Sequence, residues 1–161
     1  MSAGSPLPAT VEVRELVEGL LGREIDLTAG AAPVDPAATG AVVGVYVDDR
    51  LALRALVVVD LPLAAHAGAA IALLPSHVAR SAVEDDRLSP ALYENAAEIL
   101  NVAASLFNRQ GAPHVRLHAA HAPREVLPAD VASLALAYVH RLDLAVAVSG
   151  YGSGRVSILV L

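Results

Sequence analysis

The sequence contains no cysteine and no tryptophan, and aromatic side chains make up only 3% of it. Without cysteine the chain can form neither a disulfide nor a cysteine-ligated zinc site, so a reducing, cytoplasmic location is the simplest expectation. Apolar residues still make up 55% of the 161 residues, which is enough for the core of one domain. Because Ala and Val supply much of that fraction, we expect small aliphatic side chains and closely packed elements.

Basic residues are also scarce, with 11 against 17 acidic residues and a formal net charge of −6. They form no cluster, so we expect neither nucleic acid nor an anionic membrane as a partner. The beginning, "MSAGSPLPAT", lacks the basic and apolar regions of a signal peptide, and we expect a disordered lead-in over residues 1–9. The longest uncharged apolar run, residues 61–79, holds two prolines and two histidines, and we interpret it as a buried helix followed by a turn.

The remaining residues, 10–161, are predicted to form a single domain. Apolar residues at helical spacing predict a first helix from Thr10 to about Leu21, ended by Gly22, and "EIDLT" predicts a short strand. The runs "AVVGVYV" and "LALRALVVV", joined by Asp48-Asp49-Arg50, predict a hairpin. Asp60 is predicted to cap a helix over residues 61–74, and residues 75–86 to form a connection containing at most a helical turn.

The second half of the chain repeats a similar order without a detectable sequence repeat. Ser89-Pro90 predicts the start of a long helix that runs to about Arg109, followed by the strand "HVRLH" and a helix over residues 129–140. The runs "RLDLAVAVS" and "RVSILVL", joined by "GYGSG", predict a final hairpin. This order predicts an α+β fold, with an antiparallel sheet packed by long helices on one face.

The long second-half helix contains a narrow polar stripe. At about 100° per residue, its polar side chains fall within an arc of roughly 80°: Glu94, Glu98, Asn101, Ser105 and Asn108. A merely solvated stripe usually carries lysine and arginine spaced for ion pairs, whereas this one carries short amides and a serine. Such groups are suited to bonding a partner or a water molecule.

The segment Glu98-Ile99-Leu100-Asn101 resembles the Glu-x-x-Asn signature of the CheC/CheX/FliY-type chemotaxis phosphatases. The setting is similar too: Glu94 lies four residues earlier, the helix is rich in alanine and ends in "LFN", and Pro123 follows the next strand. The opening helix followed by "LLGREIDLTAG" resembles CheX, and the resemblance covers roughly residues 10–161. The first helix has no asparagine at the matching spacing from Glu15 or Glu18, and a single site per chain also resembles CheX.

This resemblance implies an activity and a partner. The activity is hydrolysis of the aspartyl phosphate of a CheY-like receiver domain in a response regulator, with Asn101 orienting the attacking water and Glu98 pairing with the receiver's lysine. Glu94 and Ser105, where family members commonly carry other residues, are accessory candidates. The resemblance further implies a homodimer, no cofactor bound by this chain, and Mg²⁺ on the receiver. Residues 129–140 have no counterpart in it.

Other interpretations start from other residues. One alternative within the same fold is a non-catalytic module that binds a receiver or dimerises in a signalling or motility assembly. Another is a structural relative of the flagellar switch proteins, a group that generally lacks the Glu-x-x-Asn pair. His114, His118 and His121 would be the ligands of a metal site, although the run that holds them, "HVRLHAAH", contains no carboxylate or thiolate. "GYGSG" has no helix after it and predicts a hairpin turn rather than a dinucleotide loop, and Ser76-His77 with Asp85-Asp86 lack a nucleophile elbow.

Overall fold

The computed structural model describes residues 4–161. In chain order its elements are α1 (Thr10–Leu21), β1 (Ile25–Ala29), β2 (Ala41–Val47), β3 (Leu53–Asp60), α2 (Leu61–Ile71), α3 (Ser76–Glu84), α4 (Pro90–Ala103), a 3₁₀ turn (Ala104–Phe107), β4 (Arg116–His121), α5 (Ala129–Ala135), β5 (His140–Val148) and β6 (Gly152–Val160). The six strands form one antiparallel sheet, and the predicted α+β class is confirmed.

The strand order, β1-β5-β6-β3-β2-β4, has an internal symmetry. Exchanging β1 with β4, β2 with β5 and β3 with β6 reproduces the same order in reverse. Each half of the chain therefore contributes a helix, an edge strand and a central hairpin, and each edge strand pairs with the hairpin of the other half. The first half begins with α1 and the second with α4.

The two faces of the sheet carry separate cores, as the alternation of side chains along a strand requires. One face packs under α1, α2 and α4, with Val42, Tyr46, Val57 and Ile158 among its buried residues. The other face packs under α5 and the loop before β2, and its buried residues include Val34, Val43, Val45, Leu56, Val58, Val131 and Leu134. The long helices thus lie on one face as predicted, and the short α5 covers part of the other.

Helix α2 is almost entirely buried, which agrees with the expectation of close packing by small residues. A Cβ atom at Gly68 would lie 2.9 Å from the carbonyl oxygen of Leu92, so glycine allows α2 and α4 to approach this closely. The cap predicted for this helix is also present, since the Asp60 carboxylate accepts a hydrogen bond of 2.9 Å from the Leu63 amide.

A polar network fixes α5 and the preceding loops to the second face. Arg141 donates to both carboxylate oxygens of Asp143 at 2.9 and 3.0 Å, and to the carbonyl of Ala137 at 3.0 Å, just beyond the end of α5. The wholly buried Ser157 donates to Asp143 at 2.6 Å and accepts from Val34 at 2.9 Å. Burial disfavours the charge on Asp143, but the bonds from Arg141 and Ser157 outweigh it and lower the pKa of this carboxyl.

Three predicted elements differ from the structure. The connection over residues 75–86 contains a helix, α3, rather than a single turn. The helix predicted over residues 129–140 ends at Ala135 because Arg141 bonds the carbonyls beyond it, and His140 instead pairs with Val160 in the sheet. The helix predicted to reach Arg109 is α-helical only to Ala103.

The predicted lead-in over residues 1–9 lies partly outside the described residues, which begin at residue 4. From there to Ala9 the chain has no helix or strand, but the Ser5 amide donates to the Leu161 carbonyl at 3.0 Å, and Ser5 and Pro8 are buried. Among residues 4–161 no helix has the length and apolar character needed to cross a membrane.

Candidate functional site

Helix α4 turns one side to the core and the opposite side to solvent. The Ser89 hydroxyl caps its beginning by accepting from the Leu92 amide at 3.2 Å, as the Ser-Pro pair predicts. The residues buried along the helix are Leu92, Ala96, Leu100 and Ala103. The exposed residues include Glu94, Glu98, Asn101 and Ser105, the four that the sequence marks as candidate site residues. Glu98 and Asn101 are one turn apart on this exposed side.

The three asparagines of this region have different surroundings. The Asn95 amide donates to the Gly68 carbonyl at 2.9 Å and ties α4 to α2. The Asn108 side chain bonds both backbone groups of Val115, donating at 3.0 Å and accepting at 2.8 Å. Among residues 4–161, none bonds the side chain of Asn101. Two of the amides therefore stabilise the fold, and the third has both its donor and its acceptor available on the surface.

A buried tyrosine on the sheet contacts the backbone beside Asn101. Tyr46 of β2 is wholly buried, and its hydroxyl donates to the Leu100 carbonyl at 2.5 Å. Burial raises the pKa of Tyr46, so the phenol stays protonated and able to donate. Its ring packs against Phe107, with 5.1 Å between the centroids.

The α-helical part of α4 ends at this contact. The Ala104 amide is directed at the carbonyls of Asn101 and Val102, three and two residues back, and a 3₁₀ turn begins at Ala104. Ser105 consequently lies in the 3₁₀ turn, where each residue advances by about 120° instead of 100°. The predicted stripe is therefore regular from Glu94 to Asn101 and changes its geometry at Ser105.

A second tyrosine attaches α4 to the neighbouring edge strand. The Tyr93 hydroxyl donates to the Ala120 carbonyl of β4 at 2.8 Å, about two turns before Asn101. The start, middle and end of the helix are thus each bonded to a different element. The exposed pair of Glu98 and Asn101 is carried by a helix held at several points, which favours a fixed geometry.

The structure gives little support to the alternative metal and hydrolase sites considered from the sequence. Among residues 4–161 no group of three acidic or histidine residues is placed to hold a metal ion. His121 bonds Glu125 at 2.8 Å, while His114 and His118 are exposed. Ser76 accepts from Arg80 at 3.0 Å, and Asp86 is paired with Arg124.

The "GYGSG" turn has a structural explanation. A Cβ atom at Gly152 would lie 2.4 Å from the imidazole ring of His66, and one at Gly154 would lie 2.5 Å from the Asp60 carboxylate. The glycines allow α2 to pack directly on the beginning of β6. The segment joins β5 to β6 as the sequence predicts.

A partly open apolar pocket lies beside α4, but its lining excludes a catalytic role. It has a volume of about 80 Å³ and is lined only by apolar residues, among them Val13 and Val17 of α1, Ile99 of α4, Leu106 of the 3₁₀ turn, and Val59 and Val146 of the sheet. A cavity of this character offers no group that could bind or activate a polar substrate. The exposed side of α4 remains the best candidate site.

Comparison with known proteins supports the fold. No family model matches the sequence, and no curated protein does. Among solved structures, FliY from Thermotoga maritima is similar with a TM-score of 0.51 and 13% identity, over 91% of this chain and 81% of that chain. The chain shares the fold of FliY. The middle domain of FliM from H. pylori is similar with a TM-score of 0.48 and 8% identity, over 93% of this chain and 83% of that one.

The similarity to FliY confirms the CheC/FliY-type fold that the resemblance implies, while the closer resemblance to CheX stays a prediction. The roles of Glu98, Asn101, Glu94 and Ser105 also stay predictions. The sequence reasoning missed Tyr46 and its contact with the helix. A tyrosine in an otherwise aliphatic strand, two residues after Gly44, is the signal that could have indicated it, because a buried phenol needs a bonding partner.

Proposed function

We propose that this protein is a phosphatase acting on the aspartyl phosphate of a CheY-like receiver domain. The observation that carries the proposal is the exposed pair on α4: Glu98 and Asn101 lie one turn apart, opposite the core, and the Asn101 amide is free among residues 4–161. The Glu-x-x-Asn resemblance and the FliY-like fold support it. We further propose a cytoplasmic homodimer related to CheX.

The reaction requires positioning more than acid–base chemistry. A water oxygen attacks phosphorus while the bond from phosphorus to the aspartate oxygen breaks, which releases inorganic phosphate and a carboxylate; the proton of the water ends on the phosphate. The oxygen of the Asn101 side-chain amide accepts a hydrogen bond from this water, and the NH₂ group of the same side chain donates to the water or to the phosphoryl group. Because the water is held in line with the bond that breaks, it reacts with the phosphoryl group within one complex and does not have to meet it from solution.

Glu98 has a docking role in this proposal. Its carboxylate pairs with the lysine of the receiver, and its position one turn from Asn101 lets both side chains enter the same pocket. Mg²⁺ is bound by the receiver and stabilises the charge on the phosphoryl group, so the chain itself needs no cofactor. Glu94 lies one turn further along and extends the acidic surface.

The decisive experiment is phosphate release from phosphorylated receiver domains of the source organism, with Mg²⁺ present. The wild-type protein accelerates release for its cognate receiver, and Asn101→Ala lowers kcat by about a hundredfold or more because the water is no longer positioned. Asn95→Ala is the matched control: it removes an asparagine of the same helix whose amide serves the fold. Equal rates for wild type and Asn101→Ala would refute the catalytic assignment.

A non-catalytic receiver-binding or dimerisation module is the second candidate. Exposed apolar residues around α5, Val126, Leu136 and Tyr138, favour it, since they provide a further surface for protein contacts. Binding measured with a beryllofluoride-activated receiver separates the two functions. A wild-type protein that binds the receiver through Glu98 and leaves its dephosphorylation unchanged is such a module.

A further inference from the structure

We infer that Tyr46 is a positioning residue, whose hydroxyl group fixes the part of the α4 backbone that carries Asn101. The inference rests on the proposed function, because it adds to the exposed pair a buried residue that sets its geometry. It concerns a side chain that is wholly buried. Tyr46 acts through the carbonyl of Leu100, the residue immediately before Asn101.

The hydrogen bonds around Asn101 show how the tyrosine acts. In a continuous α-helix the Leu100 carbonyl would accept from the Ala104 amide. Here the Tyr46 hydroxyl donates to that carbonyl, and the Ala104 amide is directed at the carbonyls of Asn101 and Val102. The side chain thus replaces the helical donor, and the helix changes from α to 3₁₀ within one turn of Asn101.

The position of the Tyr46 hydroxyl is itself tightly defined. Tyr46 lies on β2, which pairs with β3 on one side and β4 on the other. Gly44, on the same face of the strand, leaves the space that the phenol uses: a Cβ atom there would lie 3.3 Å from the Tyr46 hydroxyl and 3.2 Å from the Leu100 side chain. The contact therefore fixes the position of the backbone before Asn101 relative to a strand that is paired on both sides.

Loss of the hydroxyl should change the helix rather than unfold it. The buried Leu100 carbonyl would lack a donor, and the Ala104 amide is the nearest group that can replace it. That exchange continues the α-helix, removes the bond to the Asn101 carbonyl and rotates the residues that follow. A displacement of the order of 1 Å at a water-positioning amide is enough to cost about a hundredfold in rate.

The kinetic test compares two tyrosines of the same site region. Tyr46→Phe removes only the hydroxyl and keeps the ring packed on Phe107, and we expect kcat for the cognate receiver to fall between about tenfold and a hundredfold with KM nearly unchanged. Tyr93→Phe is the matched control, since it removes the hydroxyl that bonds α4 to Ala120 at the other end of the helix. Equal kcat values for the two variants would overturn the inference.

A structural measurement keeps this inference separate from the proposed function. In Tyr46→Phe, but not in Tyr93→Phe, the backbone amide NMR signals of Asn101 and Ala104 should shift, and the hydrogen exchange of the Ala104 amide should change. If the wild-type protein acts on no receiver, the proposed function fails while this measurement still applies. Unchanged signals at both residues would overturn the positioning role whatever the activity.

Discussion

The two halves of the molecule have the same strand order but use their first helices differently. In α1 two of the three acidic residues are engaged: Glu12 accepts from the Ala9 amide at 3.0 Å and pairs with Arg109, and Glu18 accepts from the Ile25 amide at 3.1 Å. In α4 the polar residues opposite the core have no bonding partner within residues 4–161, and the bonds that stabilise the fold come from Asn95 and two tyrosines. One half therefore carries the candidate site, while Glu12 and Glu18 of the other half stabilise the fold.

The halves differ again on the far face of the sheet. Between β1 and β2 the chain forms a loop whose Val34 inserts into the second core, and between β4 and β5 it forms α5 at the corresponding place. The segment that has no counterpart in the resemblance is thus also the point where the internal symmetry fails. Its exposed apolar residues lie on the opposite side of the sheet from Glu98 and Asn101, so a partner bound there would leave the candidate site open.

The largest effect we expect on stability comes from the hydrogen bonds between the end of the first helix region of each half and the start of the strand that follows it. Asn108 makes two bonds to the buried Val115, whereas Glu18 makes one bond to Ile25. We predict that Asn108→Ala lowers the free energy of unfolding by about 2–4 kcal/mol and Glu18→Ala by about 1 kcal/mol, since an unpaired buried backbone group costs more than a lost bond. Urea unfolding measures both.

Equal losses of unfolding free energy for Asn108→Ala and Glu18→Ala would contradict this difference between the halves. The two helix ends would then depend equally on Asn108 and Glu18. Both variants should keep their m-values, which shows that the same amount of surface is exposed on unfolding. Since Asn108 lies beyond the 3₁₀ turn, its variant also tests whether the end of α4 affects Asn101.

The sequence predicted most of the fold because its signals are local. The Ser89-Pro90 start of α4, the Asp60 cap and both hairpins follow from short-range chemistry, and the structure contains all of them. The exposed side of α4 also follows from helical spacing. The α-to-3₁₀ change could not be predicted, because it depends on Tyr46, a residue distant in sequence that the sheet brings beneath Leu100.

Other differences have the same origin. The early end of α5 depends on Arg141, which follows the helix in sequence but reaches it from β5. The sequence offers no account of Asn95, which lies off the polar stripe, because its partner is the Gly68 carbonyl of another helix. In each case tertiary contacts decide what a local pattern leaves open.

A pH-dependent effect of intermediate size is expected where α2 of the first half packs on β6 of the second. His66 is buried there, its Nδ1 atom has no partner among residues 4–161, and burial lowers its pKa, although the nearby Asp60 carboxylate raises it and Arg80 lowers it further. A lowered pKa means that the unfolded chain binds the proton first. Stability is therefore complete above the unfolded pKa of about 6.5 and is lost as the pH falls below it.

The variant His66→Gln isolates this contribution. We expect the stability of the wild type, relative to the variant, to decrease between about pH 7 and pH 5.5, because only the wild type has a group that the unfolded state protonates there. Burial raises the pKa of Asp60, whose effect has the opposite sign. A difference between the two proteins that does not change with pH would show that His66 is not held neutral.

The smallest effect concerns the ion pair between the halves, Arg109 with Glu12, which connects the end of the α4 region to α1. The Glu12 carboxylate has a lowered pKa, chiefly because it accepts from the Ala9 amide and, in addition, because of Arg109, while burial opposes the shift. Both side chains are more than a third exposed, at 45% and 38%, so solvent screens the pair. We predict that Arg109→Ala costs no more than about 0.5 kcal/mol and that salt reduces even this.

Glu12→Gln sharpens the result, since it weakens the Ala9 bond as well as the ion pair. The contribution of Glu12 is present above the unfolded pKa of its carboxyl and is lost as the pH falls through the lowered folded value, so the variant should approach the wild type in acid. Chemical unfolding at neutral and acidic pH measures this. If Arg109→Ala is the more costly of the two, the halves are coupled by their surface charges. If Glu12→Gln is the more costly variant, α1 depends mainly on its own cap, and the two halves contact each other chiefly through the sheet.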